Sequence, residues 1–104
     1  MALTRTTQQQ EELSVPMPFA AALKAVVTAF QKVGRVQSVQ EKFGRVVGSI
    51  GSGMLNMNKA DVTVQVEPDG DTKSKIKFTA TAQEGLISQN TAAKAVTRIL
   101  DAMQ

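Results

Sequence analysis

Four residue types are missing from this chain of 104 residues: cysteine, histidine, tyrosine and tryptophan. Without cysteine there is no disulfide, no thiolate nucleophile and no cysteine metal site. Without histidine the usual general base near neutral pH and the commonest metal ligand are both gone. Ser49, Ser52, Ser74 and Ser88 therefore have no imidazole to activate them. A serine–lysine pair is the arrangement left open, and no spacing marks one. The expectation from these absences is a protein that is not an enzyme and carries no cofactor and no metal. Aromatic rings are confined to Phe19, Phe30, Phe43 and Phe78. No apolar run approaches the ~20 residues that span a bilayer. The start, Met1-Ala2-Leu3-Thr4-Arg5, has no apolar h-region of a signal peptide. The expected setting is cytoplasmic, with no membrane contact.

What is present is ordinary for a soluble domain. Hydrophobic residues make up 42% and charged ones 20%. A chain of this size forms one domain and buries about 65% of its extended surface. The formal net charge of +3 permits an anionic partner without demanding one.

The strongest pattern lies over residues 59–83. Val62, Val64 and Val66 alternate with Thr63, Gln65 and Glu67, and Ile76, Phe78, Ala80 and Ala82 alternate with Lys75, Lys77, Thr79 and Thr81. Alternation of period two marks two strands, each with one dry and one wet face. Pro68-Asp69-Gly70-Asp71 supplies a turn, with Pro pre-setting φ and Gly accepting positive φ. Matching dry face to dry face requires paired residue numbers of even sum. A short turn then predicts Glu67 opposite Lys73, Gln65 opposite Lys75, Thr63 opposite Lys77 and Asp61 opposite Thr79. The dry pairs become Val66–Ser74, Val64–Ile76, Val62–Phe78 and Ala60–Ala80. Lys73, Lys75 and Lys77 form a row on the wet face, which Lys59 extends.

Elsewhere the spacing predicts a frayed segment over 1–8, followed by one α+β domain over 9–104. An edge strand over 9–15 has Leu13 and Val15 on its dry face, and Pro16 and Pro18 end it. Pro18 opens a helix that runs to about Val33. Phe19, Leu23, Val26, Val27, Phe30 and Val33 form its dry stripe, and Gly34 stops it. Residues 35–57 read as a second hairpin, turning at Lys42-Phe43-Gly44 in a three-residue loop. That loop pairs Glu41 with Arg45 and Val39 with Val47. Alternation there is broken: Val36, Val46 and Ile50 share one parity, Val39 and Val47 the other. A bulge or burial on both faces explains this. A last helix over 89–102, capped by Ser88 or Asn90 after a turn at 83–86, has Ala92, Val96, Ile99, Leu100 and Met103 as its dry stripe.

Three motifs invite chemistry and fall short of it. Gly48, Gly51 and Gly53 suggest a phosphate cradle, but a strand follows them rather than a helix N-terminus. They are read as letting a long strand bend. Glu67, Asp69 and Asp71 suggest calcium, but a calcium site needs six or more oxygens and a bidentate acid. The lysine row of Lys59, Lys73, Lys75 and Lys77 suggests an anionic partner. Asp61 and Glu67 share that face, however, and no aromatic stands there to stack a base, so nucleic acid is disfavoured.

The element order strand, helix, four strands, helix resembles small βαββββα domains of TATA-binding-protein-like and reduced helix-grip type. The closing run Gly85-Leu86-Ile87-Ser88-Gln89-Asn90, leading to Arg98-Ile99-Leu100, is similar to the ends of several uncharacterised bacterial domains of that shape. The resemblance implies an α+β fold: a single antiparallel five-stranded curved sheet with two helices on one face. It carries over no catalytic residue. The expected function is a non-catalytic binding module for a small apolar ligand or a protein partner, in the helix–sheet crevice or on the uncovered sheet face. Phe19, Phe30, Met54, Met57 and Phe78 are the candidate lining. The alternatives are a homodimeric assembly module, built on the unassigned Val39, Val47, Leu55 and Met57, and weak electrostatic binding of nucleic acid.

Overall fold

A computed structural model describes residues 5–52, 58–84 and 91–103. In chain order the elements are β1 (Arg5–Val15), α1 (Phe19–Val33), β2 (Arg35–Gln40), β3 (Arg45–Ser52), β4 (Asn58–Pro68), β5 (Ser74–Glu84) and α2 (Thr91–Ala102). The strands form one antiparallel sheet in the order β1-β5-β4-β3-β2. Both helices pack on the same face of it. Val26, Phe30, Val96 and Ile99 from the helices join Val46, Ile50, Val62, Val64, Val66, Ile76, Phe78 and Ala80 from the sheet in one core cluster. The expected α+β class and βαββββα order are those observed. Among the described residues, no helix is long and apolar enough to cross a membrane.

The facing of the β4–β5 hairpin follows its alternation. Val64 is fully buried, and Lys75 and Lys77 are exposed. Its register differs from the expected one by two residues. Glu67 stands opposite Lys75, Gln65 opposite Lys77, Thr63 opposite Thr79 and Asp61 opposite Thr81. The dry pairs are Val66–Ile76, Val64–Phe78 and Val62–Ala80. The parity rule holds, since even sums satisfy both registers; the loop decides between them. Pro68 pairs with Ser74, and the Asp69 N–H donates to the Lys73 carbonyl at 2.9 Å. Gly70 takes φ +83° inside that wider loop. Lys73 is thereby moved out of the strand. Ser74, buried at a strand start, donates its hydroxyl to the Met17 carbonyl at 2.8 Å. An unpaired hydroxyl there would cost about 1–3 kcal/mol, so this bond fixes β5 against the β1–α1 connection.

The β2–β3 hairpin also departs from expectation. Its loop is a 3-10 turn, Glu41–Phe43, followed by Gly44 at φ +65°. The pairs are Gln40–Arg45 and Val39–Val46, in place of Glu41–Arg45 and Val39–Val47. A bulge lies between Val36 and Ser38. Between the two expected explanations of the broken alternation, the bulge is the one present. It puts Val36 and Val39 opposite Gly48 and Val46, on the helix side, and Ser38 opposite Val47 on the other. The turn is held from β4: the Val66 N–H donates to the Gly44 carbonyl at 2.7 Å, and the Gln65 side-chain amide donates to the Phe43 carbonyl.

β1 begins at Arg5 rather than at residue 9, so residues 5–8, expected to be frayed, pair with β5 from Glu84 to Thr81. Val15 is buried as expected, but Leu13, on the same edge strand, is 37% exposed. Pro18 caps α1 in extended geometry, and the helix proper starts at Phe19. Gly34 ends it in extended rather than left-handed backbone. The reason for glycine there is space, since a Cβ would overlap the Ser49 carbonyl oxygen and the Ile50 side chain. The strand glycine Gly48 has a related role. A Cβ on it would stand 2.8 Å from the Phe30 ring, so the ring lies over bare backbone. Gly53, Leu55 and the cap candidates Ser88 and Asn90 lie outside the described residues, whereas Gln83 and Glu84, expected in a turn, belong to β5.

Candidate functional site: an apolar groove beside the first helix

Phe19, Leu23 and Val27 recur every four residues on α1, and Ala20, Lys24 and Thr28 run beside them with the same spacing. Side chains four apart share one helical face, so the two rows form a stripe and its flank. Val39 of β2 and Glu41 of the 3-10 turn face this stripe across a gap. The result is a half-open groove of about 560 Å³, lined by Phe19, Ala20, Leu23, Lys24, Val27, Thr28, Val39 and Glu41. Leu23 is buried, Phe19 and Val27 are half-buried, and Val39 is 39% exposed. Lys24, Thr28 and Glu41 are exposed at its rim. The β2–β3 turn shapes one end. A Cβ on Gly44 would stand 2.7 Å from the Phe19 ring, so the bare glycine leaves Phe19 room to lie against the turn. The volume falls within the few hundred to a thousand Å³ of small-molecule sites, and an apolar lining with a few polar groups is their usual chemistry.

Of the expected crevice residues among the described ones, Phe19 alone lines this groove. Phe30 and Phe78 are spent in the core, at 0% and 1% exposure. Met54 and Met57 lie outside the described residues. The groove also takes Val39, which the sequence left without a partner, and Leu23 and Val27, which helical periodicity assigned simply to packing. The lack of a partner for Val39 is visible in the sequence; the convergence of the three depends on the bulge in β2. A second, polar hollow of about 320 Å³ lies along β1 and β5, lined by Gln10, Glu11, Glu12, Lys77, Phe78 and Thr79.

The lysine row is broken up. Lys75 and Lys77 remain neighbours on the uncovered face, Lys73 sits in the loop, and Lys59 is at the opposite end of β4, across from Gly51. Acids interleave with what remains. Glu67 is directly opposite Lys75 and approaches the Lys77 ammonium at 3.6 Å, and Glu12 is opposite Lys77 across β1 and β5. The Glu67–Lys77 pair is about half exposed on both sides, so it contributes at most about 1 kcal/mol. Its larger consequence is that the face is a mosaic of both signs rather than a cationic strip. No group of three or more potential metal ligands occurs among the described residues.

No family model matches the chain, and no curated protein matches it. Solved structures do. The crystal structure of Ara h 8.0201 superposes with TM-score 0.70 over 95% of each chain at 18% identity. Norcoclaurine synthase from Thalictrum flavum, in complex with dopamine and hydroxybenzaldehyde, superposes with TM-score 0.65 at 13% identity, over 97% of this chain and 86% of that one. The Zhui aromatase/cyclase from Streptomyces sp. R1128 superposes with TM-score 0.54 at 7% identity, over 95% of this chain and 92% of that one. Two of these are enzymes by name, which corrects the expectation that the chain is not an enzyme. Missing histidine and cysteine remove particular nucleophiles and bases, while a fold that carries a synthase and a cyclase is open to catalysis by other side chains. At these identities the likeness concerns architecture. The five-stranded antiparallel sheet with both helices against one face is a helix-grip fold.

Proposed function

We propose that the protein is a binding domain for a small apolar molecule, held in the groove between α1 and the β2–β3 turn. The observation that supports this most is the groove itself: about 560 Å³ with Phe19, Leu23, Val27 and Val39 as its apolar lining. The fold supports it too, since norcoclaurine synthase is seen with two small aromatic molecules bound. The test uses the absence of tryptophan and tyrosine, which leaves a naphthylamine dye free of protein background. Titration with 1-anilinonaphthalene-8-sulfonate, or with its uncharged analogue N-phenyl-1-naphthylamine, is expected to show saturable one-site binding. Val39→Asp, at an exposed position, should weaken it about ten-fold or more by placing a carboxylate in the apolar lining. Binding that Val39→Asp leaves unchanged would remove the groove from consideration.

A second reading, assembly into a homodimer, is favoured by one observation. Phe43 is 68% exposed and close in sequence to exposed Val39, at the end of the edge strand β2. Sedimentation equilibrium at high protein concentration checks it, with a monomer counting against it and a dimer dispersed by Phe43→Ser supporting it.

A further inference from the structure

We propose that the groove selects an aromatic molecule bearing one anionic group, with the anion set against Lys24 and Thr28. The inference rests on the groove being a ligand site and concerns what it prefers. Lys24 and Thr28 are four apart on α1, so an ammonium and a hydroxyl share one wall above the apolar stripe. Lys24 forms no ion pair with any described residue. Its charge is therefore not taken up by any described residue. Glu41 faces it from the turn, and it too has no ion pair among the described residues. Lys24 and Glu41 thus border the same groove without forming an ion pair. A carboxylate only accepts hydrogen bonds, so Glu41 repels a second anionic group and suits a donor. The rim is consequently polarised: it accommodates an anion at the helix side and an N–H or O–H at the turn side, with a flat apolar body between them over Phe19 and Val27.

The matched dyes separate this from the general reading. 1-Anilinonaphthalene-8-sulfonate and N-phenyl-1-naphthylamine share one aromatic body and one N–H, and differ by the sulfonate. Titrations of the purified protein at low salt should show tighter binding of the sulfonate by about three- to five-fold, the size expected for a partly exposed ion pair. Lys24→Gln should abolish that preference by weakening the sulfonate dye more than the uncharged one. Glu41→Gln should enlarge it. Both positions are exposed, so neither change threatens folding. Equal affinity for the two dyes, or a preference that survives Lys24→Gln, would overturn the selectivity while leaving the groove as a site. Failure of both dyes to bind would overturn the groove as well.

Discussion

The two β-hairpins of this sheet are built by different rules. In β4–β5 the alternation is unbroken: Val62, Val64, Val66, Ile76, Phe78 and Ala80 are all buried, and the intervening positions meet solvent. In β2–β3 the alternation fails, a bulge interrupts the ladder, and the turn is held by groups from β4. Position in the sheet accounts for the contrast. β4 and β5 are interior strands with partners on both sides, so a slip would invert a whole buried face. β2 is an edge strand, where a bulge costs little and disfavours pairing with another chain. The regular hairpin makes the core. The irregular one leaves Val39 and Glu41 across from α1, and the groove is a product of that irregularity.

The largest expected effect tests the regular half. Val64→Lys places an unpaired charge between Val46 and Phe78 and should cost several kcal/mol. Thr63→Lys, one residue away on the other face, should change stability by less than about 0.5 kcal/mol. Chemical denaturation of both variants checks the facing. Similar unfolding midpoints would mean that the two faces are not as different as the alternation makes them.

A smaller effect is expected at the turn of the irregular hairpin. Gly44→Ala forces a side chain into left-handed backbone, at about 1–2 kcal/mol, and drives its Cβ against the Val66 carbonyl and the Phe19 ring. A total near 3 kcal/mol is expected. The same change should weaken dye binding, because Phe19 must shift. A destabilised protein with unaltered dye affinity would separate the turn from the groove.

Much of the architecture was legible in the sequence because it rests on local periodicity. Phe19 to Val33 repeats every three to four residues, β4 and β5 every two, and the helix-grip order follows from those elements. The register of β4–β5 was not legible, since even sums permit two alignments. The choice is made in the loop, where Pro68 pairs with Ser74 and the Asp69 N–H donates to the Lys73 carbonyl. The bulge was legible as a conflict of parity but not as a location, because Gln37 is distinguished from its neighbours only by what β3 presents to it. The groove was half legible. Val39 stood out as apolar without a partner, whereas Leu23 and Val27 looked like core residues in every pattern available. The composition argument against catalysis failed for another reason: it listed the chemistries that missing residues exclude, and a fold does not depend on those chemistries alone.

The smallest expected effect sharpens the contrast between the hairpins. Val36 opposes Gly48 and Ser38 opposes Val47, so Gln37 is the residue without a place in the ladder. Deleting it should leave every other pair intact and keep Val36 and Val39 on the helix side. Stability should then change by only about 1 kcal/mol, as for most substitutions away from a packed core. The edge strand, however, would become straight, with a regular row of unpaired backbone groups. Light scattering across a concentration series is expected to show stronger association by the deletion variant than by the parent. Loss of folding on deletion would show instead that the bulge carries part of the structure, and that the edge is irregular for reasons other than protection.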